Sequence, residues 1–251
     1  MVLIGFHAVL SRLKTCPSSI SEILISESRI DNRVNKVMET AEKNNVLVKK
    51  SSKKELEKIS KNKKNNGCIA IASELERPNN LEEFFSLFSK QGLEYPPLVI
   101  LDGITDPRNL GAIFRNVDAT SFGGIIAPMD NSAPINDLVV RTSCGATDTV
   151  FYVRVKNLSR TIYKLQDLGY FVYGLASEAP NSLFSTNFAF PVAIVLGGEG
   201  KGLRKLTKDV CDELICIPMF GELESLNVSV ASGVVLFEII NQKMSIKRKT
   251  D

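Results

Sequence analysis

The stretch VILDGITDPRNLGAIFRN, residues 99–116, contains the features that decide the fold of this chain. It opens with an apolar run of strand length, the turn-forming pair Asp106 and Pro107 follows, and a helical pattern then carries Asn109 and Arg115. A strand, a short loop and a helix in this order predict one unit of an α/β domain, and we expect Asn109 to cap the helix. Ligands of such domains bind at the carboxyl ends of the strands, where backbone N–H groups lack partners.

Two further stretches repeat this strand–loop–helix pattern. They are VAIVLGGEGKGL at residues 192–203 and IPMFGELESLNVSVASGVVLFEII at residues 217–240. The glycine-rich loop matches neither a Walker A motif nor a G-x-G-x-x-G loop, but it lets a ligand approach the backbone closely. The third stretch predicts a helix from about Ser225 that is apolar nearly all round, so it is buried in the domain or in a subunit interface. We call each of these three strand–loop–helix stretches a corner, and together the three corners predict one composite ligand site.

Asn109 and Arg115, six positions apart on one helix, could both face this site. Both also have a purely structural interpretation, in which Asn109 is only a helix cap and Arg115 is a surface or ion-paired residue. Glu199 is expected to project a carboxylate into the space above the glycine loop.

Short apolar runs recur through the second part of the chain and predict about six strands of one sheet covered on both faces. They occupy residues 98–102, 123–128, 149–155, 170–176, 192–197 and 213–218. Helices are expected to begin near Asn109, Asn157, Leu203 and Ser225. The predicted class is α/β, with a parallel sheet in a domain over residues 98–251.

The first 73 residues form a separate pattern of short strands and helices, typical of a small α/β domain. Residues 74–97 are polar and contain Pro78, so we interpret them as a linker. The linker includes a short helical segment at residues 81–90, whose phenylalanines are expected to dock on a domain surface. With 251 residues and 44% apolar content, the chain is long enough for two cores.

Positive charge is concentrated in the first domain, although the net charge of the whole chain is only +3. Eight lysines stand against two glutamates within residues 48–64. They are Lys49, Lys50, Lys53, Lys54, Lys58, Lys61, Lys63 and Lys64. This segment is either a solvated surface or a patch that contacts RNA phosphates.

Cysteine and histidine usage argues against a metal site. The five cysteines form no C-x-x-C pair, and the single histidine, His7, lies in the first domain. An odd number of cysteines in apolar surroundings is typical of a reducing compartment, and no apolar run reaches the length of a membrane span. We therefore expect a cytoplasmic protein without a metal.

The motifs DPRNLGAIFR, LGGEGKGL and IPMFGELESLNVSVASG, in this order, resemble those of the SpoU ribose 2′-O-methyltransferases, which are trefoil-knotted enzymes that use S-adenosylmethionine. GFHAVL at residues 5–10 and NNGCIAIA at residues 65–72 resemble the ribosomal-protein-like RNA-binding domain of the bacterial large-subunit rRNA guanosine methyltransferases. One departure is Asn66, which stands where that family often has a histidine.

The resemblance implies roles for individual residues. The family's active-site positions match Asn109, Arg115, Glu199 and Asn227. The positions that hold its cofactor match Leu196, Gly197, Gly198, Ile217, Ser225, Leu226 and Asn227. The family also implies a homodimer and a trefoil knot in the second domain.

The function expected from this resemblance is 2′-O-methylation of a ribose, in particular that of a guanosine, in large-subunit ribosomal RNA. Three alternatives remain. A tRNA ribose methyltransferase would share the three motifs, a non-catalytic RNA-binding assembly factor would share the fold, and an antibiotic-resistance enzyme would methylate an adenosine of rRNA. Cofactor binding separates an enzyme from a binding protein, and the RNA that is modified separates the enzymes.

Overall fold

The computed structural model describes residues 1–73, 78, 80–89, 94–200 and 202–250. The chain divides into two compact units. The N-terminal unit comprises Met1–Arg77 together with Cys144–Thr149, and the C-terminal unit comprises Pro78–Ser143 and Val150–Asp251. The short segment Cys144–Thr149 thus groups with the N-terminal unit although the residues on both sides of it belong to the other.

Four strands and three helices make up the N-terminal unit. They are β1 (Val2–Ile4), α1 (Phe6–Thr15), β2 (Ile20–Ser26), α2 (Asn32–Lys43), β3 (Val48–Ser51), α3 (Lys53–Ile59) and β4 (Cys68–Ala72). The strand order is β1-β4-β2-β3, in which β2 and β3 are parallel and the other pairs antiparallel. The core contains Val9, Leu13, Ile23 and Val37, contributed by α1, β2 and α2.

The C-terminal unit alternates strands and helices along the chain. Its elements are α4 (Leu81–Ser89), β5 (Leu98–Asp102), α5 (Pro107–Ala119), β6 (Gly124–Pro128), α6 (Asp137–Thr142), β7 (Phe151–Val155), α7 (Leu158–Asp167), β8 (Phe171–Leu175), β9 (Asn181–Ser182), β10 (Val192–Gly197), α8 (Lys205–Val210), β11 (Glu213–Cys216) and α9 (Val228–Thr250).

All neighbouring strands of the C-terminal sheet are parallel, in the order β7-β6-β5-β10-β8-β11-β9. The chain leaves β5 toward β6 and leaves β10 toward β11, so the direction of winding reverses between β5 and β10. Such a reversal opens a crevice at the carboxyl ends of the two strands, which is where α/β sheets bind ligands. The predicted α/β class is confirmed, and the sheet has seven strands rather than six because of the two-residue edge strand β9.

The segment predicted as a linker is described only in part, and its helix docks on a domain through phenylalanines, as expected. Residues 74–77, 79 and 90–93 lie outside the described part of the chain, and so does the end of the predicted helical segment. The described helix α4 buries Leu81, Phe84 and Phe85 in the core of the C-terminal unit. It is part of that unit because a helix with three buried apolar side chains gains more by packing than by spanning two domains.

Helix α5 begins earlier than predicted, and Asn109 does not cap it. The cap is Asp106, whose Oδ1 accepts a hydrogen bond from the N–H of Arg108 at 2.7 Å. Pro107 fits the first helical position because its missing N–H would have no partner there. Asn109 is therefore a buried residue inside the helix.

Helix α9 is buried along one side only. Val235, Leu236 and Ile239 are buried, whereas Val230, Phe237 and Met244 are 52%, 55% and 50% exposed. The helix starts at Val228, three residues after the predicted start, because Asn227 caps it: its Oδ1 accepts from the N–H of Ser229 at 2.9 Å. In the described part of the chain, no helix is long and apolar enough to span a membrane.

Candidate active site

Three side chains from the three sequence corners meet at the reversal between β5 and β10. Asn109 Nδ2 donates to Glu199 Oε1 at 2.8 Å, and Asn227 Nδ2 lies 2.5 Å from the same oxygen and 3.1 Å from Asn109 Oδ1. The structure thus brings together three of the four residues predicted to be catalytic. They come from the first turn of α5, the loop after β10 and the residue before α9.

This network fixes the orientation of its members. Glu199 Oε1 accepts two amide hydrogen bonds, while its Oε2 accepts none from the residues that the structure describes. Asn227 Oδ1 accepts from the N–H and the hydroxyl of Ser229, at 2.9 and 2.6 Å, so the amide cannot flip without losing both bonds. The arrangement therefore holds one carboxylate oxygen ready to accept a hydrogen bond from a ligand.

The glycine loop lies against the end of β5 at distances that only glycine permits. A Cβ on Gly198 would lie 2.4 Å from the carbonyl oxygen of Gly103, and a Cβ on Gly197 would lie 2.3 Å from the carbonyl carbon of Gly202. The N–H of Gly198 donates to the carbonyl of Asp102 at 2.9 Å. These contacts are the physical reason for the glycine density that the sequence shows.

An ion pair that the sequence analysis missed holds the same loop. The carboxylate of Asp102 is fully buried; its Oδ1 lies 2.5 Å from Arg204 Nε, and its Oδ2 accepts from the N–H of Arg204 at 3.0 Å. The indication in the sequence was Asp102, the charged residue at the end of the otherwise apolar strand β5. Its partner stands 102 positions later and no local pattern indicates it.

A cavity of about 240 Å³ opens beside this network. Six of the seven residues predicted to hold a cofactor line it, namely Leu196, Gly197, Gly198, Ile217, Ser225 and Leu226. The seventh, Asn227, is bonded to Glu199, which also lines the cavity. The lining combines backbone of the glycine loop with apolar side chains and the carboxylates of Glu178 and Glu224.

Arg115 lies apart from the network. It is exposed on α5, and none of the described residues forms a hydrogen bond or ion pair with it. Six residues along a helix rotate a side chain by about 600°, so Arg115 is turned by about 120° from Asn109. Its neighbour Asn116 joins α5 to α9, because Asn116 Nδ2 donates to the Ser229 carbonyl at 2.8 Å.

The eight lysines of the predicted RNA-binding segment are all exposed. Lys49 pairs with Glu22 at 2.6 Å and Lys53 with Glu57 at 3.8 Å. Among the described residues, no group of three or more His, Cys, Asp or Glu side chains is arranged to hold a metal ion.

Comparison with known proteins identifies the family. The SpoU rRNA Methylase family matches residues 96–237, and the family described as RNA 2′-O ribose methyltransferase substrate binding matches residues 2–78. The chain belongs to the SpoU rRNA methylase family. The resemblance inferred from the three sequence motifs is thereby confirmed, and the substrate-binding family covers the stretches GFHAVL and NNGCIAIA.

SpoU relatives align with this chain over nearly its whole length. A protein of Ralstonia nicotianae named 23S rRNA (guanosine-2′-O-)-methyltransferase RlmB is 43% identical over 249 residues, which are 99% of this chain and 98% of the relative. A protein of the same name from Neisseria meningitidis serogroup B is 41% identical over 96% of this chain and 94% of its own length.

Solved SpoU structures share the fold. The methyltransferase AviRb of Streptomyces viridochromogenes, in complex with the cofactor AdoMet, superposes with a TM-score of 0.70 at 19% identity and covers 98% of this chain and 91% of its own. An AdoMet-bound rRNA methyltransferase of Sinorhizobium meliloti superposes with a TM-score of 0.66 at 23% identity, over 94% of this chain and 85% of its own.

Proposed function

We propose that this protein transfers a methyl group from S-adenosylmethionine to the ribose 2′-hydroxyl of a guanosine in large-subunit ribosomal RNA. The observation that carries the proposal is the convergence of Asn109, Glu199 and Asn227 beside a cavity at the reversal of the sheet. Relatives more than 40% identical over almost the whole chain carry the name of a 23S rRNA guanosine-2′-O-methyltransferase, which supports both the reaction and the substrate.

The cavity fits S-adenosylmethionine chemically. The half-buried apolar side chains of Ile217 and Leu226 suit an adenine ring, and the half-buried backbone of Gly197 and Gly198 lets the ring approach closely. The carboxylate of Glu224 suits the cationic groups of the methionine part, whereas that of Glu178 is paired with Lys208, which also lines the cavity. When bound, the cofactor would supply a methyl group already activated on a sulfonium.

The protein then has mainly to position the ribose. Holding the reacting groups in the correct geometry can lower the activation barrier by about 7 to 11 kcal/mol. We assign Asn109, Glu199 and Asn227 to this task, because their mutual hydrogen bonds fix three side chains before substrate arrives. The unpaired Oε2 of Glu199 is the acceptor that we expect to receive a hydrogen bond from the bound ligand.

Arg115 is assigned to the RNA phosphate beside the reactive ribose. Its guanidinium is exposed and has no protein partner among the described residues, so it can form two parallel hydrogen bonds with a phosphate. In that position its charge stabilises negative charge that develops on the 2′-oxygen. We expect the proton of the hydroxyl to leave to phosphate or water, because the motifs offer no histidine.

Substrate RNA is assigned to the lysines of residues 48–64, which are exposed as a phosphate-binding patch requires. The apolar stripe of Val230, Phe237 and Met244 on α9 supports a homodimer, because exposed apolar residues at helical spacing are typical of interfaces. A cytoplasmic location follows from the proposed substrate, and the trefoil knot stays a prediction from the family.

The test is transfer of a labelled methyl group from S-adenosylmethionine to unmodified large-subunit rRNA and, separately, to unmodified tRNA, with mapping of the methylated ribose. Label on one guanosine of the rRNA is the expected result, and label on an adenosine would indicate a resistance-type enzyme. Label on tRNA alone would show that the substrate is tRNA rather than rRNA. Cofactor binding without transfer to either RNA would favour a binding protein.

A further inference from the structure

A second cleft, of about 490 Å³, lies entirely within the N-terminal unit. It is formed by the loop after β2, the first turns of α3 and the loop that precedes β4. Basic side chains from all three segments line it, namely Arg29, Lys53, Lys63 and Lys64, and they are joined by Leu56 and Asn66. The cleft is separate from the cavity at the methyltransferase site.

Charge in the cleft is strongly unbalanced. Four cationic side chains face one carboxylate, that of Glu57, which is shared with Lys53 at 3.8 Å. Lys63 and Lys64 are exposed and have no ion-pair partner among the described residues. Arg29 and Lys53 have carboxylate partners in Asp31 and Glu57, so Lys63 and Lys64 supply the excess positive charge that suits the cleft to an anionic ligand.

Arg29 is held rigidly at the wall of this cleft. Its Nε donates to Asp31 Oδ2 at 2.7 Å, its Nη1 donates to the carbonyl of Asn66, and its guanidinium lies 4.7 Å from the centre of the Phe6 ring. The side chain is nevertheless 29% exposed. A planar cation fixed on one face against an aromatic ring offers its other face for stacking, as Arg does with unstacked RNA bases.

Asn66 adds a group that can recognise a nucleobase beside the guanidinium of Arg29. Its side chain is exposed and has no hydrogen-bond partner among the described residues, whereas Leu56 is buried beneath the cleft. Asn66 has a positive φ of 50°, an uncommon conformation for a residue other than glycine. A free amide beside a planar guanidinium can read the edge of a base that stacks on that guanidinium.

We propose that this cleft binds one unstacked nucleotide of the RNA substrate, with its phosphate on Lys63 and Lys64 and its base against Arg29 and Asn66. The inference rests on the proposed function, because it takes the ligand to be part of the RNA that is methylated. It separates Lys53, Lys63 and Lys64, which line the cleft, from the other five lysines, which contribute only to the positive potential of the surface.

The experiment compares two charge-matched double variants of the full chain, K63A/K64A inside the cleft and K54A/K58A in the same segment but outside its lining. Affinity for unmodified large-subunit rRNA is measured by filter binding over a series of salt concentrations. We expect a loss of at least tenfold for the first pair and of less than threefold for the second. The uncharged change Asn66→Gly, which suits the positive φ, is expected to lose three- to tenfold with an unchanged salt slope.

Equal losses for the two pairs, or an unchanged affinity for Asn66→Gly, would overturn the inference and leave a diffuse basic surface. Thermal unfolding of each variant shows whether the N-terminal unit is intact. Methyl transfer by the wild type is scored independently. Normal transfer with equal losses for both pairs rejects the cleft alone, whereas absence of any rRNA binding by the wild type rejects both the cleft and rRNA as substrate.

Discussion

Asn109 Nδ2 and Glu199 Oε1 lie 2.8 Å apart although 90 positions separate the two residues in the sequence. The first belongs to the helix after β5, and the second to the loop after β10. Their contact spans the point at which the winding of the sheet reverses, so the sheet topology itself brings the amide and the carboxylate together. The glycine contacts and the Asp102–Arg204 ion pair hold the same loop in place.

Replacing Asn109 with alanine should lower turnover by about 100-fold, because it removes one hydrogen bond to Glu199 and one from Asn227. The free energy of unfolding should fall by about 1 kcal/mol. Asp106→Ala is the matched variant, since loss of the helix cap also costs about 1 kcal/mol. Methyl transfer and urea unfolding are measured for both; similar losses of turnover would mean that Asn109 acts only through the stability of α5.

Arg115→Ala should lower turnover by about 100-fold or more with cofactor affinity within about twofold of the wild type, because we place Arg115 on the RNA phosphate. Isothermal titration gives the affinity and single-turnover methylation gives the rate. Arg160→Ala removes the same charge from an exposed position on α7 and is the control. Near-normal methylation by the Arg115 variant would remove this residue from the active site.

Gly198→Ala should destabilise the protein by about 1 to 3 kcal/mol, because the new methyl group would meet the Gly103 carbonyl oxygen at 2.4 Å. Since the loop must shift, cofactor affinity should fall at least tenfold. Gly221→Ala is the control, as no atom lies within 4 Å of a Cβ at that position. Thermal unfolding and titration with S-adenosylmethionine check both; a stable Gly198 variant that binds the cofactor normally would contradict the assignment of this loop.

Arg204→Ala should lower the free energy of unfolding by about 1 to 3 kcal/mol, because the buried carboxylate of Asp102 loses its charged partner and keeps only the backbone N–H. Arg204→Lys should restore part of the loss, since an ammonium supplies charge but not the geometry of the guanidinium. Urea denaturation measures both. If the alanine variant were as stable as the wild type, the ion pair would have no part in holding the loop.

Phe237→Glu should yield a monomer if the exposed stripe of α9 is a dimer interface, because it places a charge at the centre of an apolar contact. Light scattering after gel filtration gives the mass in solution. Tyr163→Glu changes a residue of similar exposure, 56%, on α7 and should leave the mass unchanged. A wild-type protein that is already monomeric would contradict the proposed dimer.

The sequence could predict much of the sheet because its buried strands are uninterrupted apolar runs. Residues 98–102 and 192–197 match β5 and β10 at both ends, since Asp102 and Gly197 close runs of Val, Ile and Leu. The convergence of the three corners also followed from a general rule, that parallel strands present their carboxyl ends at one edge.

Other features could not be predicted, because they depend on contacts between distant residues or on very short elements. β1 has three residues and β9 two, too few for any alternation to be recognised. Asp106 rather than the predicted Asn109 caps α5, because both residue types are good caps and Pro107 favours the first helical position. Nothing near Cys144–Thr149 indicates that this segment groups with the N-terminal unit.

The hydrogen bond between Asn227 and Asn109 joins residues 118 positions apart, and it closes the network from the last helix of the chain. During translation the N-terminal unit and most of the sheet emerge before that helix does. Synthesis of this protein therefore releases the N-terminal unit first and Asn227, which completes the network, much later. With RNA bound by the N-terminal unit as proposed, a nascent chain holds its substrate before Asn227 has joined Asn109 and Glu199.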